Sequence, residues 1–380
     1  MSLSGISVGK NRVIQIADVT AVLDVTTLFK TVRVLSELDI DKPVLKESAI
    51  DLLMPLLAQK SEGPPPVAIR RISVNNAKLE WPGMLLPLFD ADLVMGSNTK
   101  LQHATIKSID DRLIMDATPK GEGYAASIKA QEWTPSMRLP LKLDKVAADL
   151  TYASQTLDIP SIEAALYGGK LHASAHLDWK RNWQLEGKFK TDAIELQDAS
   201  RLLTKGIVVS GRISGNGTFS SVAKDPDQLA DKLVMDYNFS VNKGVLHGMG
   251  LAKAASLFIK QGGKGGETEF DQLSGKLHTA GKQVELHEMK VQSGLLAASG
   301  QVKITPAKAL SGLVNVELKK GLALVAVPLK ISGSIDEPEI GPTKAAIAGA
   351  AAGTAVLGPM GTSIGMKAGS ALDKLFGSGQ

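Results

Sequence analysis

The sequence predicts a mainly β protein, and three observations predict it. Short runs alternate apolar and polar residues, glycine-rich turns punctuate them, and the apolar material is almost wholly aliphatic: 44% of residues are hydrophobic but only 4% aromatic. Period-2 alternation marks strands with one apolar face, and this much aliphatic residue excludes a disordered chain. At 380 residues the chain exceeds one ordinary compact domain, so it is either several domains or one extended repetitive body, and the recurring strand pattern favours the second.

Two stretches carry the alternation most cleanly. Leu139-Pro-Leu141-Lys-Leu143 is one. In the other, Ile162, Ala164 and Leu166 are followed by Tyr167-Gly168-Gly169-Lys170 and then by Leu171, Ala173, Ala175 and Leu177, a hairpin whose glycines supply the positive φ of a tight turn. Residues 54–58 read as a short helix broken by Gly63-Pro64-Pro65-Pro66. Further on, Gly187, Gly211, Gly275, Gly300 and Gly333 each read as the entry to a strand, at unequal spacings that exclude a strict solenoid. Between them, Asp225-Pro226 opens a predicted helix to Leu233 through an Asp cap and a proline at the first helical position. A second predicted helix runs from Leu251 to Ile259 and ends in the glycines at 262–266, which read as a connector. The chain divides on this reading into an N-terminal β segment with a short helix (1–62), an elongated body of repeated strand pairs with helices near 225–260 (63–340), and an Ala/Gly-rich helical tail (341–380).

Charge and composition narrow the function. Forty-three basic against 39 acidic residues leave a net charge of +4, and the basic residues are scattered, so a nucleic-acid partner is not expected. The absence of cysteine excludes disulfides, thiolate metal sites and cysteine nucleophiles. The first dozen residues show neither a signal peptide nor a membrane anchor. The tail differs: residues 345–366 carry no charge, a length that as a helix would reach about 33 Å at about 1.5 Å per residue. Its smooth faces, Gly349 with Gly353 and Gly361 with Gly365, and the apolar pair Val356 and Leu357 make it a candidate for membrane contact, although Pro359 interrupts it; a helix packed on its own protein is the alternative.

No catalytic set emerges. His172 and His176 are four apart, but on a strand this separates them by roughly 13 Å, too far to share a metal. His278 and His287 read as surface residues, and His103 and His247 have no evident partners. Gly248-Met-Gly250 lacks the third glycine and the βαβ context of a dinucleotide loop. Asp110-Asp111 are strand neighbours that would face opposite ways. The expectation is a protein that is not an enzyme and holds no cofactor or metal. The aliphatic faces must nevertheless be covered, by closing the sheet, by a sandwich, or by curling around a foreign apolar ligand.

Several passages resemble the AsmA-like envelope proteins of Gram-negative bacteria: Leu166-Tyr-Gly-Gly-Lys-Leu171 with Leu185-Glu-Gly-Lys-Phe189, the run from Phe239 through Gly244 and Gly248 to Leu251, Thr268 to Gly275 continuing to Gly300, and Val327-Pro-Leu-Lys-Ile331-Ser-Gly333 to Pro338. The resemblance covers about 160–340. It implies a long curved antiparallel sheet forming an elongated groove, on a protein at the periplasmic face of the inner membrane, that binds or conducts phospholipid acyl chains or supports outer-membrane assembly. Other envelope proteins are implied partners. Family members normally begin with a membrane helix, which this sequence does not show. Candidate groove residues are Leu139, Leu141, Leu143, Ile162, Ala164, Leu166, Ala173, Ala175, Val302, Ile304, Val325, Val327, Leu329 and Ile331. A structural β scaffold without bound lipid is the alternative function.

Overall fold

The computed structural model describes residues 1–9, 11–49, 52, 67–81, 84–96, 100–134, 141–256, 263–294, 296–320 and 323–349. It is mainly β, with long antiparallel ladders and a few short helices. Two compact units divide it: Met1–Leu166 with Leu171–Gly187 and Ala223–Asp227, and Tyr167–Lys170 with Lys188–Val222 and Gln228–Gln380.

In the N-terminal unit, Ser2–Val8, Ile14–Leu23 and Arg33–Asp41 pair antiparallel in chain order. Arg71–Trp81 then joins Arg33–Asp41 in parallel, through the register Leu38↔Ile72 and Ile40↔Val74. From there Phe89–Met95, Leu101–Ser108, Leu113–Lys120, Gly123–Trp133, Leu143–Ala153 and Thr156–Leu166 continue as antiparallel neighbours. The turns from Leu101–Ser108 to Leu113–Lys120, on to Gly123–Trp133, and from Leu143–Ala153 to Thr156–Leu166 are two to four residues long, and the register sets apolar residues opposite apolar ones from strand to strand.

The C-terminal unit is a second antiparallel ladder, Arg212–Ala223, Val234–His247, Glu267–Ala280, Gln283–Gln292, Leu296–Ile304, Leu310–Lys320, Ala323–Gly333 and Pro338–Pro342. This sheet is rolled. Lys264 pairs with Glu339 of the last strand, yet only three residues separate Lys264 from Glu267, which begins a strand five places away. Three residues span at most roughly 11 Å, whereas five strand spacings on a flat sheet would be about 24 Å. The rolled face is filled by the helix Leu251–Ser256, with Leu251, Ala254 and Ala255 buried. Its first turn is fixed by Thr268, whose buried hydroxyl donates to Met249 O at 2.7 Å and accepts from Leu251 N–H at 2.8 Å. Across the ladder Val241, Leu273, Val291, Ala298, Val316 and Val327 stand in register, none more than 6% exposed. A polar latch ties the unit's early and late segments. Thr204 Oγ1 lies 2.8 Å from Ile335 O and 2.9 Å from Asp336 Oδ1, Lys205 N–H donates to the same oxygen at 3.3 Å, and Lys308 Nζ lies 3.1 Å from Asp336 Oδ2.

Several expectations are corrected. Only Gly211 precedes its strand; Gly187, Gly275 and Gly300 lie inside theirs and Gly333 ends one. Interior glycine serves close approach here: a Cβ on Gly217 would meet the Phe189 ring at 2.7 Å, and one on Gly244 the Phe270 ring at 2.7 Å, so the few aromatic rings lie over glycines of neighbouring strands. The predicted helix at 225–233 is only the three-ten turn Pro226–Gln228, with one helical hydrogen bond from Lys232 N–H to Gln228 O at 3.1 Å. Two apolar side chains are too few to offset the cost of nucleating a helix. The connector read at 262–266 contains the strand Gly263–Lys264. The strand expected from Leu139 begins at Leu143. The helix at 251–259 is described to Ser256, and helix occupies 344–349 of the tail. The remainder of the tail, residues 54–58 and the Gly63–Pro66 break lie outside the described residues. The Tyr167-Gly168 turn is as expected, with φ of 46° and 70° in succession.

Leu329, 0% exposed, and Leu313, 53% exposed, stand on opposite faces of the rolled ladder. Leu329→Ala should lower the unfolding free energy in urea by about 2–5 kcal/mol, and Leu313→Ala by less than about 0.5 kcal/mol; equal costs would contradict a filled interior. The Asp336 carboxyl is held below the ordinary carboxylate range, first by Lys308 and then by Thr204 and Lys205 N–H. A lowered folded pKa contributes stability that is present above the unfolded value and lost as pH falls through the folded one. Asp336→Asn should therefore make the thermal midpoint fall less steeply below about pH 4; a wild-type slope would show that the latch does not contribute.

Candidate functional site

The aliphatic face of the N-terminal unit is the feature that most needs an explanation. Leu3, Val19, Ile40, Val74, Ala91, Ile106, Met115, Ile128, Ala148 and Ile162 are directly opposite one another from strand to strand. A second row beside it runs through Ala21, Leu38, Ile72, Leu93, Ala104, Ala117, Ala126 and Leu150. Residues paired across strands share a face, so these rows make an apolar band with no charged or aromatic member; part of the second row, Ile72, Leu93, Ala104 and Ala117, packs with Met95, Leu101 and Tyr124. Nine spacings of about 4.8 Å give the first row a path of roughly 43 Å along the sheet.

Burial distinguishes this band from the row in the C-terminal unit. There every member is sealed by the protein's own side chains; here Leu3 is exposed and the other nine residues of the first row are half-buried. Neighbours on one sheet face shade each other to about this degree without a second layer above them. The buried cluster of this unit is small, Met95, Leu101 and Ala104, whereas that of the C-terminal unit extends from Val241 to Ile340. The band offers no hydrogen-bonding group, so it can do one thing chemically: remove CH2 groups from water, at about 0.8 kcal/mol each.

The sequence-derived candidates divide between the two situations. Ile162 belongs to the first row, Ala164 is buried opposite Val146, and Leu166 is buried. Leu143 is half-buried opposite Trp133, Leu141 is half-buried just before that strand, and Leu139 lies outside the described residues. Ala173 and Ala175 are half-buried in the strand Gly169–Asp178. Val327, Leu329 and Ile331 are sealed in the C-terminal core, and Val302 and Ile304 pack against it. Val325 lies in Ala323–Gly333, its side chain outside the described residues. Of the membrane-contact set, Gly349 falls in the helix at 344–349, while Gly353, Val356, Leu357, Gly361 and Gly365 lie outside the described residues. Sequence reasoning missed most of the band, including Ile40, Val74, Ile106, Met115, Ile128 and Ala148. The signal was present in Ala126-Ser-Ile128-Lys-Ala130 and Val146-Ala-Ala148-Asp-Leu150, both of which alternate.

The histidines and Asp110 lie on the outward face or in turns, whereas Tyr237, Thr191 and Thr268 are buried polar residues. His103 Nε2 is 3.0 Å from Thr105 Oγ1 and His247 Nδ1 is 2.8 Å from Glu267 Oε1, so both histidines have the partners the sequence did not reveal. His278 lies 2.7 Å from Asp236 and His176 2.5 Å from Asp158, each a cross-strand pair. Asp110 is held below the ordinary carboxylate range chiefly by the Ser108 hydroxyl, 2.6 Å away, and so serves a turn. The Tyr237 hydroxyl, raised above its ordinary pKa by burial, meets Thr191 Oγ1 at 2.5 Å. Tyr152, Trp179 and Trp183 stack with centroids 5.9 and 5.1 Å apart, bracing neighbouring hairpins. Among the described residues no group of three or more acidic or histidine side chains could hold a metal, and no helix is long and apolar enough to cross a membrane.

Comparison with known proteins found no matching family model, no similar curated protein and no similar solved structure.

A half-buried apolar band should enhance the fluorescence of an apolar dye in the native state. Ile106→Glu combined with Ile128→Glu should remove most of that signal, whereas Leu313→Glu should leave it intact. A double variant as bright as the wild type would show that the dye binds elsewhere.

Proposed function

We propose that this protein is a non-enzymatic, AsmA-like envelope protein whose N-terminal unit shields phospholipid acyl chains along its aliphatic band. One observation carries the reading: the same register of aliphatic residues is sealed by the protein itself in one unit and left half-exposed across strand after strand in the other. Acyl chains suit such a surface. They are flexible, carry no polar groups to satisfy, and bind in proportion to the apolar area they cover. Aromatic rings would raise bumps on the band, and its two rows contain none. The aliphatic composition and the resemblance over residues 160–340 support a location at the periplasmic face of the inner membrane and a role in moving lipid between membranes, which would sustain outer-membrane lipid homeostasis.

A second reading draws on the C-terminal unit. Its interior is filled by a continuous cluster of its own side chains, which favours a rigid β scaffold, one that docks other envelope proteins during outer-membrane assembly. The two roles can be separated by what the purified protein carries.

Protein prepared from a Gram-negative host without detergent should show bound phospholipid in native mass spectrometry. Met115→Glu, placed in the middle of the band, should reduce bound lipid severalfold with little change in thermal midpoint, because the site is half-exposed. Wild-type protein that is free of lipid and takes up no labelled phospholipid would leave the scaffold as the better reading.

A further inference from the structure

The loop between Ile14–Leu23 and Arg33–Asp41 presents apolar side chains that neither aliphatic row uses. Val25 is 69% exposed, Leu28 40%, and Phe29 fully exposed at 102%. On a slack loop such exposure would say little, but this loop is built to hold it. Asp24 Oδ1 accepts from Thr26 N–H at 3.1 Å and from the Thr26 hydroxyl at 2.6 Å. Thr27, buried, donates its hydroxyl to Asp24 O at 2.7 Å and accepts from Val34 N–H at 2.9 Å, while Asp24 N–H donates to Val34 O at 2.8 Å. Thr27 is thus turned inward and bonded and Asp24 is half-buried and bonded, while Val25, Leu28 and Phe29 are held out in water beside the exposed Thr26 and Lys30, the reverse of the usual burial of apolar side chains.

The flanking charges indicate what medium receives them. Lys30 follows Phe29 directly and Arg33 comes three residues after it, both exposed, and Arg70 stands next to the parallel strand Val67–Ile69 that pairs with Arg33–Leu35. The one carboxylate in the loop, Asp24, is committed to Thr26 and lies 3.4 Å from Arg70. The next, Glu37, sits opposite Val22 along the strand pair and accepts from Ser73 at 3.3 Å. An apolar tip with cations immediately behind it matches the depth profile of a bilayer interface, where acyl chains lie beneath anionic headgroups. A protein partner would have to provide a pocket shaped to Phe29, whereas a bilayer accepts a projecting ring without one.

We propose that the loop around Val25 and Phe29 docks the protein on an anionic bilayer surface. The inference goes beyond the acyl-chain reading and does not depend on it, since a scaffold could dock in the same way. The test is co-sedimentation of the full chain with vesicles of phosphatidylcholine, with and without phosphatidylglycerol. Wild-type protein should pellet with the anionic vesicles and be released by salt. Val25→Ser with Phe29→Ser should weaken vesicle binding about tenfold or more, and Lys30→Glu with Arg33→Glu should abolish the preference for phosphatidylglycerol. Thermal midpoints should be unchanged in both variants, because the altered side chains are exposed, and the Val25/Phe29 variant should retain its copurifying phospholipid, so that failure of docking and failure of the lipid-binding band are read separately. Vesicle binding by the Val25/Phe29 variant equal to wild type would overturn the proposal. So would a wild-type dimer in solution that this variant dissolves while vesicle binding persists, which would assign the loop to a second copy of the chain.

Discussion

A strand with one aliphatic face cannot leave that face in water, and the architecture of this protein follows from how each unit meets that demand. In the C-terminal unit the solution is internal. The sheet rolls until its last strand reaches Gly263–Lys264, and the helix Leu251–Ser256 fills what remains. Interior glycines accompany this packing, because a Cβ on Gly217 or Gly244 would clash with the backbone of a neighbouring strand and with the ring of Phe189 or Phe270. The N-terminal unit has the same kind of ladder and the same residue types but only a small buried cluster. The proposed function is a statement about what completes it.

Much of the fold was legible. Alternation gave the strands around Ile162 and Ala173, and paired glycines gave the Tyr167-Gly168 turn, because both signals are local and depend on backbone geometry alone. The glycine repeat was legible as a pattern but not as a cause. Whether a glycine begins a strand or makes room for a ring on the neighbouring strand depends on a residue tens of positions away. The helix at 225–233 failed for the opposite reason: its cap and proline are sound local signals, but nothing apolar waits to receive its face.

Little of the band was legible, since of its two rows only Ile162 was among the sequence-derived candidates; one obstacle, shared by both units, has a specific physical form. Asn76, Glu132, Ala193, Lys243 and Glu288 all adopt left-handed backbone, with φ between 46° and 55°. At each of them the inward-facing residue shifts phase, from Val74 to Ala77, Ala130 to Trp133 and Thr191 to Ile194, for example. Period-2 reading therefore holds on either side of such a residue and fails across it. None of the five is glycine, so composition gives no warning. This is also why Leu143 and Val146, an odd number apart, are both half-buried in one strand while Asp144 and Lys145 between them are exposed.

Most of the molecule is a ladder in which each strand needs only its predecessor, and such a ladder can assemble by extension, one hairpin at a time, with little loop entropy at any step. The latch between Thr204 and Asp336 breaks that rule, joining groups 132 residues apart in the chain. It ties the segment after the helix Leu196–Arg201 to the turn before the last strand, and so fastens the early and late parts of the C-terminal unit to each other directly. The row from Val241 to Val327 is enclosed in that unit, whereas the first N-terminal row is half-buried. The two units thus give one kind of ladder two outcomes: an aliphatic row sealed by a continuous core in one, and a half-buried row beside a small cluster in the other.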